Sequence, residues 1–551
     1  YGERLSSVID ISSKSTMSKT VKAQFGINGI NADALIEVPI IEDKLNIIGS
    51  FRRSYNDALQ TFTFNQLADK VFESTKINNS DNENNMFLFL DYNVKLNFKP
   101  NKNNSLYASI ISIDNQLDYT LNDSENNRRL NDKLVTSNMG YGLGWRVKWN
   151  EKISQNTTAF FSDYMLNYNF ITREGGTQVS DFEKRNTVFD SGLSSEVIID
   201  RSKASQITFG YQYVLKDVAF AFLNTSNLSF ILDTEDNMIQ THSVYGQYNY
   251  KNPKLFNFSF GLRTTYFNEL DAVRLEPRIV VYKPLLKNLK FQATAEIKNQ
   301  IISEIDETIL SDLSLENRLW RLADGNKFPI INGQQISAGF IYSKKRLSID
   351  IDTYYKKLKN ITALSLGFLN PENSSFNIGR QNIVGLDVFV KKQFNGFNSW
   401  LSYSFNKSDS KFENLNNNKN FTSKSNISHS VSTALSYKLD GFQFALGWKW
   451  QTGKPYTIAK ESIDGLEFND GINTGKLPIY HRLDFSSTYN FKISKRSKLR
   501  GKVGLSVRNI FNRMNLISKE YRGNNSLEDP IELIEKFSIG ITPNFMLRLY
   551  W

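Results

Sequence analysis

Cysteine is absent from all 551 residues. This excludes a disulfide framework, a thiolate metal site and a thiol nucleophile. No apolar run approaches the ~18 residues that a membrane helix requires. No secretory signal is present either, since the chain opens at Tyr1 with a polar segment, as expected of a processed or partial product. Glycine-rich phosphate loops, HExxH and GxSxG are also lacking. No catalytic centre, metal site or cofactor is therefore expected. Carboxylates are abundant, but no pair falls in a definable pocket.

What the chain does have is rings. Aromatic residues make up 13% of it, yet its mean hydropathy is −0.41. A soluble α/β protein gathers its apolar content into blocks. A wall with lipid on one side and water on the other spreads it in alternation. The net charge of +11 is scattered, without the concentrated stripe that nucleic acid demands. A mild positive field suits anionic lipid headgroups or an anionic solute.

Period two is the dominant pattern. Strand side chains point alternately to opposite faces. Phe537, Ile539, Ile541, Pro543, Phe545, Leu547, Leu549 and Trp551 share one parity, and Ser538, Gly540, Thr542, Asn544, Arg548 and Tyr550 the other. Met86, Leu88, Leu90, Tyr92, Val94, Leu96 and Phe98 alternate with a set holding Asp91, Asn93 and Lys95. Similar alternation runs through 289–298, 347–356, 482–493 and 499–508. Full charges fall in mid-strand on the polar parity. The strands also exceed the turn spacing of a β-sandwich.

Connections sort by length. Tight links are expected at 42–44, 99–104, 150–152, 200–204, 251–256, 283–288, 343–346, 393–398, 440–441 and 494–498. Longer, irregular stretches are expected at 56–85, 117–132, 171–180, 217–238, 301–333, 359–374, 411–426, 453–476 and 512–535. Short and long alternate nearly throughout, as in membrane barrels with short periplasmic turns and long external loops. The expected fold is all-β: a transmembrane, antiparallel, up-and-down β-barrel of about 22 strands. Closure supplies every backbone group with a partner in lipid. A lumen of that width cannot be filled by side chains alone.

Several segments resemble TonB-dependent outer-membrane receptors. Tyr1-Gly2 leading to Val8-Ile9-Asp10-Ile11 is similar to the end of that family's plug domain. Leu275-Glu276-Pro277-Arg278 looks like its EPR segment, and Tyr480-His481-Arg482-Leu483-Asp484 like a YHRLD strand start. Val507-Arg508-Asn509-Ile510-Phe511-Asn512 resembles a late strand of the family, and the terminal Trp551 its aromatic ending. The asparagine-rich style looks like receptors of the Bacteroidota.

The resemblance implies a plug remnant over residues 1–14 and a barrel over 15–551, in the outer membrane of a Gram-negative bacterium. Most of the plug and the TonB box are expected to be cleaved, disordered or unobserved. It implies import of a scarce solute, with a metal chelate such as a ferric siderophore favoured. The implied partners are outer-membrane lipid and lipopolysaccharide, the TonB complex through a region before Tyr1, and a small solute. It leaves room for a surface lipoprotein and gives no role to nucleic acid. The alternative is a receptor-like barrel serving as a structural subunit of an outer-membrane complex. An enzyme in the wall is the least favoured reading.

Candidate residues follow from parity and loops. Glu276, Arg278, Glu296, Lys298, Arg482, Asp484, Arg500 and Arg508 fall on the lumen parity. Among these, Glu276, Arg278, Glu296, Asp484 and Arg508 are candidates for plug contact, and the bland reading is a solvated, ion-paired wall. Trp320, Arg321, Lys454 and Tyr456 lie on long connections and, with Arg482, are candidates for solute binding. Loop-on-loop packing is the bland reading of the same residues. His242, His429 and His481 share the apolar parity near external strand ends, which suits an interface residue better than a metal ligand.

Overall fold

The computed structural model describes residues 2–6, 8–15, 17–71, 81–123, 127–224, 230–252, 254–306, 318–364, 376–458, 460–462, 465–467, 471–493, 498–522 and 532–551. Twenty-two strands close into one antiparallel barrel. The first ten are β1 (Lys22–Asn28), β2 (Asn31–Ile41), β3 (Leu45–Ser54), β4 (Asp81–Asn101), β5 (Asn104–Asp123), β6 (Arg128–Lys148), β7 (Ile153–Glu174), β8 (Thr177–Ser202), β9 (Ser205–Asn224) and β10 (Phe230–Asn252). Then come β11 (Phe256–Phe267), β12 (Ala272–Leu286), β13 (Leu289–Gln300), β14 (Ile331–Lys344), β15 (Leu347–Leu364), β16 (Phe376–Phe394), β17 (Phe397–Phe412), β18 (His429–Leu439), β19 (Phe442–Gln451), β20 (Tyr480–Lys492), β21 (Arg500–Arg508) and β22 (Thr542–Tyr550). A two-residue stub, Phe421–Thr422, pairs with the outer end of β17.

Turn chemistry fixes the short end. The β16–β17 and β18–β19 links are Asn395-Gly396 and Asp440-Gly441, and both residues of each pair have positive φ. That is the two-residue hairpin whose twist matches its strands.

Two ring girdles bound the lipid band. On β17 and β18, Phe397 stacks on Tyr437 at one end, and Phe405 packs on His429 at the other. The girdles are eight residues apart in register. At ~3.3 Å per residue this is about 26 Å along the strand. With the strands tilted ~40°, it fits an apolar band about 25 Å tall once the rings are added. All three histidines sit at the outer girdle on the lipid parity: His242 with Tyr211 at 2.8 Å, His429 with Tyr403 at 3.0 Å and His481 with Arg513 at 2.5 Å.

The expected irregular stretches at 117–132, 171–180 and 217–238 are corrected. Among the described residues these are mostly strand, since β4 to β10 run 20–26 residues each. The physical reason is an inversion of polarity. On β7, the lipid parity carries Ile153, Ala159 and Phe161 and continues outward as Asp163, Met165, Asn167 and Asn169. The lumen parity then becomes the greasy one: Leu166, Tyr168 and Phe170 are buried, with Leu117, Tyr119 and Leu130 of the neighbouring strands. Above the membrane the wall has water outside and a packed core inside, which accounts for an alternation of reversed sign.

Helix α1 (Phe62–Val71) enters this upper core, with Phe64 buried in it. The Phe64 amide donates to the Thr61 hydroxyl at 3.1 Å, an N-cap that starts the helix.

The barrel closes between β1 and β22 through five register pairs, Gln24–Tyr550 to Asn28–Met546, extended by Ala23 and Trp551, which exchange backbone hydrogen bonds of 3.1 and 2.8 Å. Over that seam Arg548 reaches Asp33 of β2 with both oxygens at 2.6 and 2.8 Å. The pair passes above Gly26 of β1, where a Cβ would lie 2.7 Å from the Asp33 carboxylate and 2.9 Å from the guanidinium.

Candidate functional site

Within the membrane band the inner wall is charged and paired. Arg263 on β11 lies over the Tyr245 ring at 5.7 Å and donates to Gln212 and Ser243, each at 2.7 Å. It faces Glu276 at 3.5 Å. Pairing of β12 with β13 ends at Arg278–Glu296, and Glu276 fills the gap beyond. Its carboxylate accepts from the Asn299 backbone amide at 2.7 Å and from the Asn299 side chain at 3.1 Å. Glu296 lies 3.5 Å from Arg278 and 3.0 Å from Lys298. Across the same stretch of wall, buried Lys216 is held by Asp190 at 2.6 Å. These groups line a lumenal cavity of about 780 Å³.

The N-terminal segment occupies one side of that cavity. Thr241 donates to Glu3 at 3.0 Å, and Lys216 lies 3.6 Å from the other Glu3 oxygen. The Leu5 amide donates to Gln300 at 3.1 Å, and its carbonyl accepts from Lys356 at 2.5 Å. The chain then crosses to β4, where Lys95 donates to the Ser13 carbonyl at 3.2 Å and to the Ser15 hydroxyl at 3.3 Å. Between those anchorages it hangs in the open: Ile9 is 83% exposed and Ile11 89%.

The mouth is narrowed by a hairpin, Ile302–Asp306 with Arg318–Leu322. Trp320 is fixed to the inner wall by both backbone groups, which exchange hydrogen bonds of 2.8 and 3.2 Å with the Asn186 side chain. Arg321 is 5% exposed. It pairs with Glu235 at 2.5 Å and lies over Phe220, Phe328 and Phe376 at 3.9, 5.0 and 5.2 Å.

The candidate residues fall into separate groups. Glu276, Arg278 and Glu296 come together in the lumen. Arg482 and Asp484 are bonded to each other at 2.9 Å on β20, and Asp484 also accepts from the Asn509 amide at 2.9 Å. One residue thus belongs to the solute set and its partner to the plug-contact set. Arg508 is exposed at the end of β21. Tyr456 lies 5.5 Å beneath Lys519, and Lys454 is exposed beside it. Sequence reasoning missed Glu3, Asp190, Lys216 and Arg263. Strand parity was a signal for the last three, while the docking of Glu3 is a long-range event. Among the described residues no group of three or more His, Asp or Glu could hold a metal ion.

A family model described as TonB dependent receptor-like, beta-barrel, matches residues 73–510. The chain belongs to the TonB-dependent receptors. Its barrel is accordingly that of a transport receptor in the outer membrane of a Gram-negative bacterium, in a family of transporters and receptors rather than enzymes. Solved structures share the fold at low identity. The ferric yersiniabactin uptake receptor FyuA from Yersinia pestis is 11% identical with a TM-score of 0.69, over 97% of this chain and 81% of that one. The ferric citrate transporter FecA, unliganded, is 11% identical with a TM-score of 0.67, over 97% and 79%. The siderophore receptor PirA from Acinetobacter baumannii is 11% identical with a TM-score of 0.63, over 98% and 81%. No curated protein sequence matches the chain.

Proposed function

We propose that this receptor imports a metal chelate of the ferric siderophore type, and that residues 1–14 are the end of a plug seated in the barrel. The observation that carries the reading is the N-terminal segment itself. It is docked through the Glu3 carboxylate on Thr241 and Lys216 and through the Leu5 backbone on Gln300 and Lys356, yet its strand-like run Val8–Ile11 lies exposed in the lumen. An extended segment with bare isoleucines and unpaired backbone is a sheet edge waiting for a neighbour, and a plug sheet supplies one. Glu276, Arg278 and Glu296 would then meet that plug from the wall. The chelate class is supported by the neighbours that carry ferric and siderophore cargo and by the net charge of +11, which favours an anionic solute.

Two measurements test this. A deletion strain is expected to lose growth on one ferric chelate as sole iron source while keeping growth on ferrous iron. Purified receptor is expected to bind the same chelate with quenching of tryptophan emission. Unimpaired growth on every chelate, together with co-purification of fixed protein partners, would instead establish the structural-subunit role.

A further inference from the structure

The cations scattered along the sequence are gathered by folding at one stretch of the periplasmic rim. The turns β10–β11, β12–β13, β14–β15 and β16–β17 stand side by side there, because β11 pairs with β12, β13 with β14 and β15 with β16. Residues 251–256, 283–290, 343–347 and 391–398 hold ten lysines and arginines and no carboxylate. All ten cations are exposed. Elsewhere the rim mixes its signs. Glu42 and Asp43 precede Lys44 at β2–β3, Glu151 precedes Lys152 at β6–β7, and Asp440 follows Lys438 at β18–β19.

The basic turns are tied into one edge. The Ser343 amide donates to the Asn288 carbonyl at 2.8 Å, and the Gln393 amide to the Arg346 carbonyl at 3.0 Å. With strands ~4.8 Å apart and tilted ~40°, successive turns are about 12 Å apart, and the four cover an arc of about 37 Å.

Register shows where the charges point. Lys283, Lys344 and Lys392 fall on the lipid parity. Lys251, Lys290 and Lys391 fall on the lumen parity, with Tyr245, Glu296 and Asp350 of the same or paired strands. Lys254, Lys287, Lys345 and Arg346 sit in the turns themselves, at the tips. A lipid headgroup beside the wall meets only the first of these sets. A polyanion spread beneath the membrane meets all three. The cations also recur at a fixed interval along an arc. That arrangement suits a repeating polymer better than a protein partner, whose binding energy gathers at a central anchor.

We propose that this basic arc is a docking surface for peptidoglycan, the wall polymer beneath the outer membrane, whose peptide side chains carry free carboxylates. Each exposed ion pair contributes little alone, and an array of them on one rigid edge gains by multivalency. The proposal concerns the periplasmic rim and stands whether or not the cargo is a chelate.

The test sediments purified sacculi with the full chain in mild detergent. The receptor is expected to pellet with them at about 50 mM salt and to be released at about 0.5 M. Soluble polyglutamate is expected to compete, and sacculi stripped of their peptides are expected to pellet none. The combined variant Lys254→Glu, Lys287→Glu, Arg346→Glu is expected to lower the bound fraction at least about tenfold. Lys102→Glu, Lys152→Glu, Lys438→Glu makes the same change of net charge on the rest of the rim and is expected to alter it less than about twofold. Heat-modifiable migration on gels reports that each variant remains a closed barrel, and the corresponding glutamine variant substitutes if the first does not close. Equal losses in the two triple variants, or wild-type sedimentation of the first, would overturn the site. So would binding to peptide-free glycan. Failure to pellet with sacculi, together with salt-sensitive binding to phosphatidylglycerol vesicles or to an acidic protein, would overturn it in favour of that other partner.

Discussion

The wall from β4 to β10 and the wall from β18 through the seam to β3 cross the same membrane but are built differently above it. The first has strands of 20–26 residues whose inner face becomes a packed core outside the bilayer. The second has strands of 7–13 residues that stop near the outer girdle and hand over to irregular connections. The bilayer dictates only the middle ~10 residues of each strand. Beyond it, a strand continues only where its inward face finds apolar partners, as Leu166, Tyr168 and Phe170 do with Phe64.

The contrast can be broken most severely from the tall side. Arg321→Ala and Phe170→Ala are each expected to cost about 3–5 kcal/mol in detergent unfolding, the first by removing the buried partner of Glu235 from between three rings and the second by leaving a cavity. Arg321→Ala should also expose the hairpin containing residues 318–322 to protease. Wild-type stability for Phe170→Ala would mean that the upper tier is a solvated extension. A paired substitution on one face of β7 sharpens the comparison. Ala159→Lys, inside the lipid band, is expected to cost about 2–4 kcal/mol, and Asn167→Lys, above it, about 0–1 kcal/mol. Equal costs would contradict the inversion of polarity at Phe161.

The smallest effect lies at the periplasmic foot of the short side. Asp43, 3.4 Å away, and then Glu42 raise the Lys19 ammonium above its ordinary value of 10.5. A raised lysine stabilises the fold fully below 10.5 and loses that contribution as pH climbs through the raised value. Lys19→Gln is therefore expected to show slightly lower stability at neutral pH in low salt. It should converge with the parent at strongly alkaline pH or in molar salt.

Alternation made the fold legible, because lipid outside and water inside impose the same sign on every crossing. The strand count and the lumen placement of Glu276, Arg278 and Glu296 followed from parity, and the tight links from connection length, apart from the link at 494–498, which lies mostly outside the described residues. What stayed hidden was the length of β5 to β10. Their apolar residues change parity at the outer girdle, so the stretches at 117–132, 171–180 and 217–238 read as irregular although they are paired throughout most of their length. The inner cluster was half legible. Arg263 and Lys216 could be assigned to the lumen strand by strand, but nothing local says that Glu3, more than two hundred residues from its partners, lies beside them. Arg321 illustrates the opposite limit. A cation beside an aromatic on a long connection is the same text whether it greets a solute or is sealed under three rings.

A cylinder with no covalent rivet has one fault line, and here it is the short first strand. Arg548 and Asp33 work as a staple driven across it, and the bare backbone at Gly26 is the slot that lets the staple lie flat. Any side chain placed there would lift the staple and leave only the backbone pairing from Ala23–Trp551 to Asn28–Met546 to hold the circle shut. Residues 515 positions apart thus hold one another, so the ring locks only when both strands are in place.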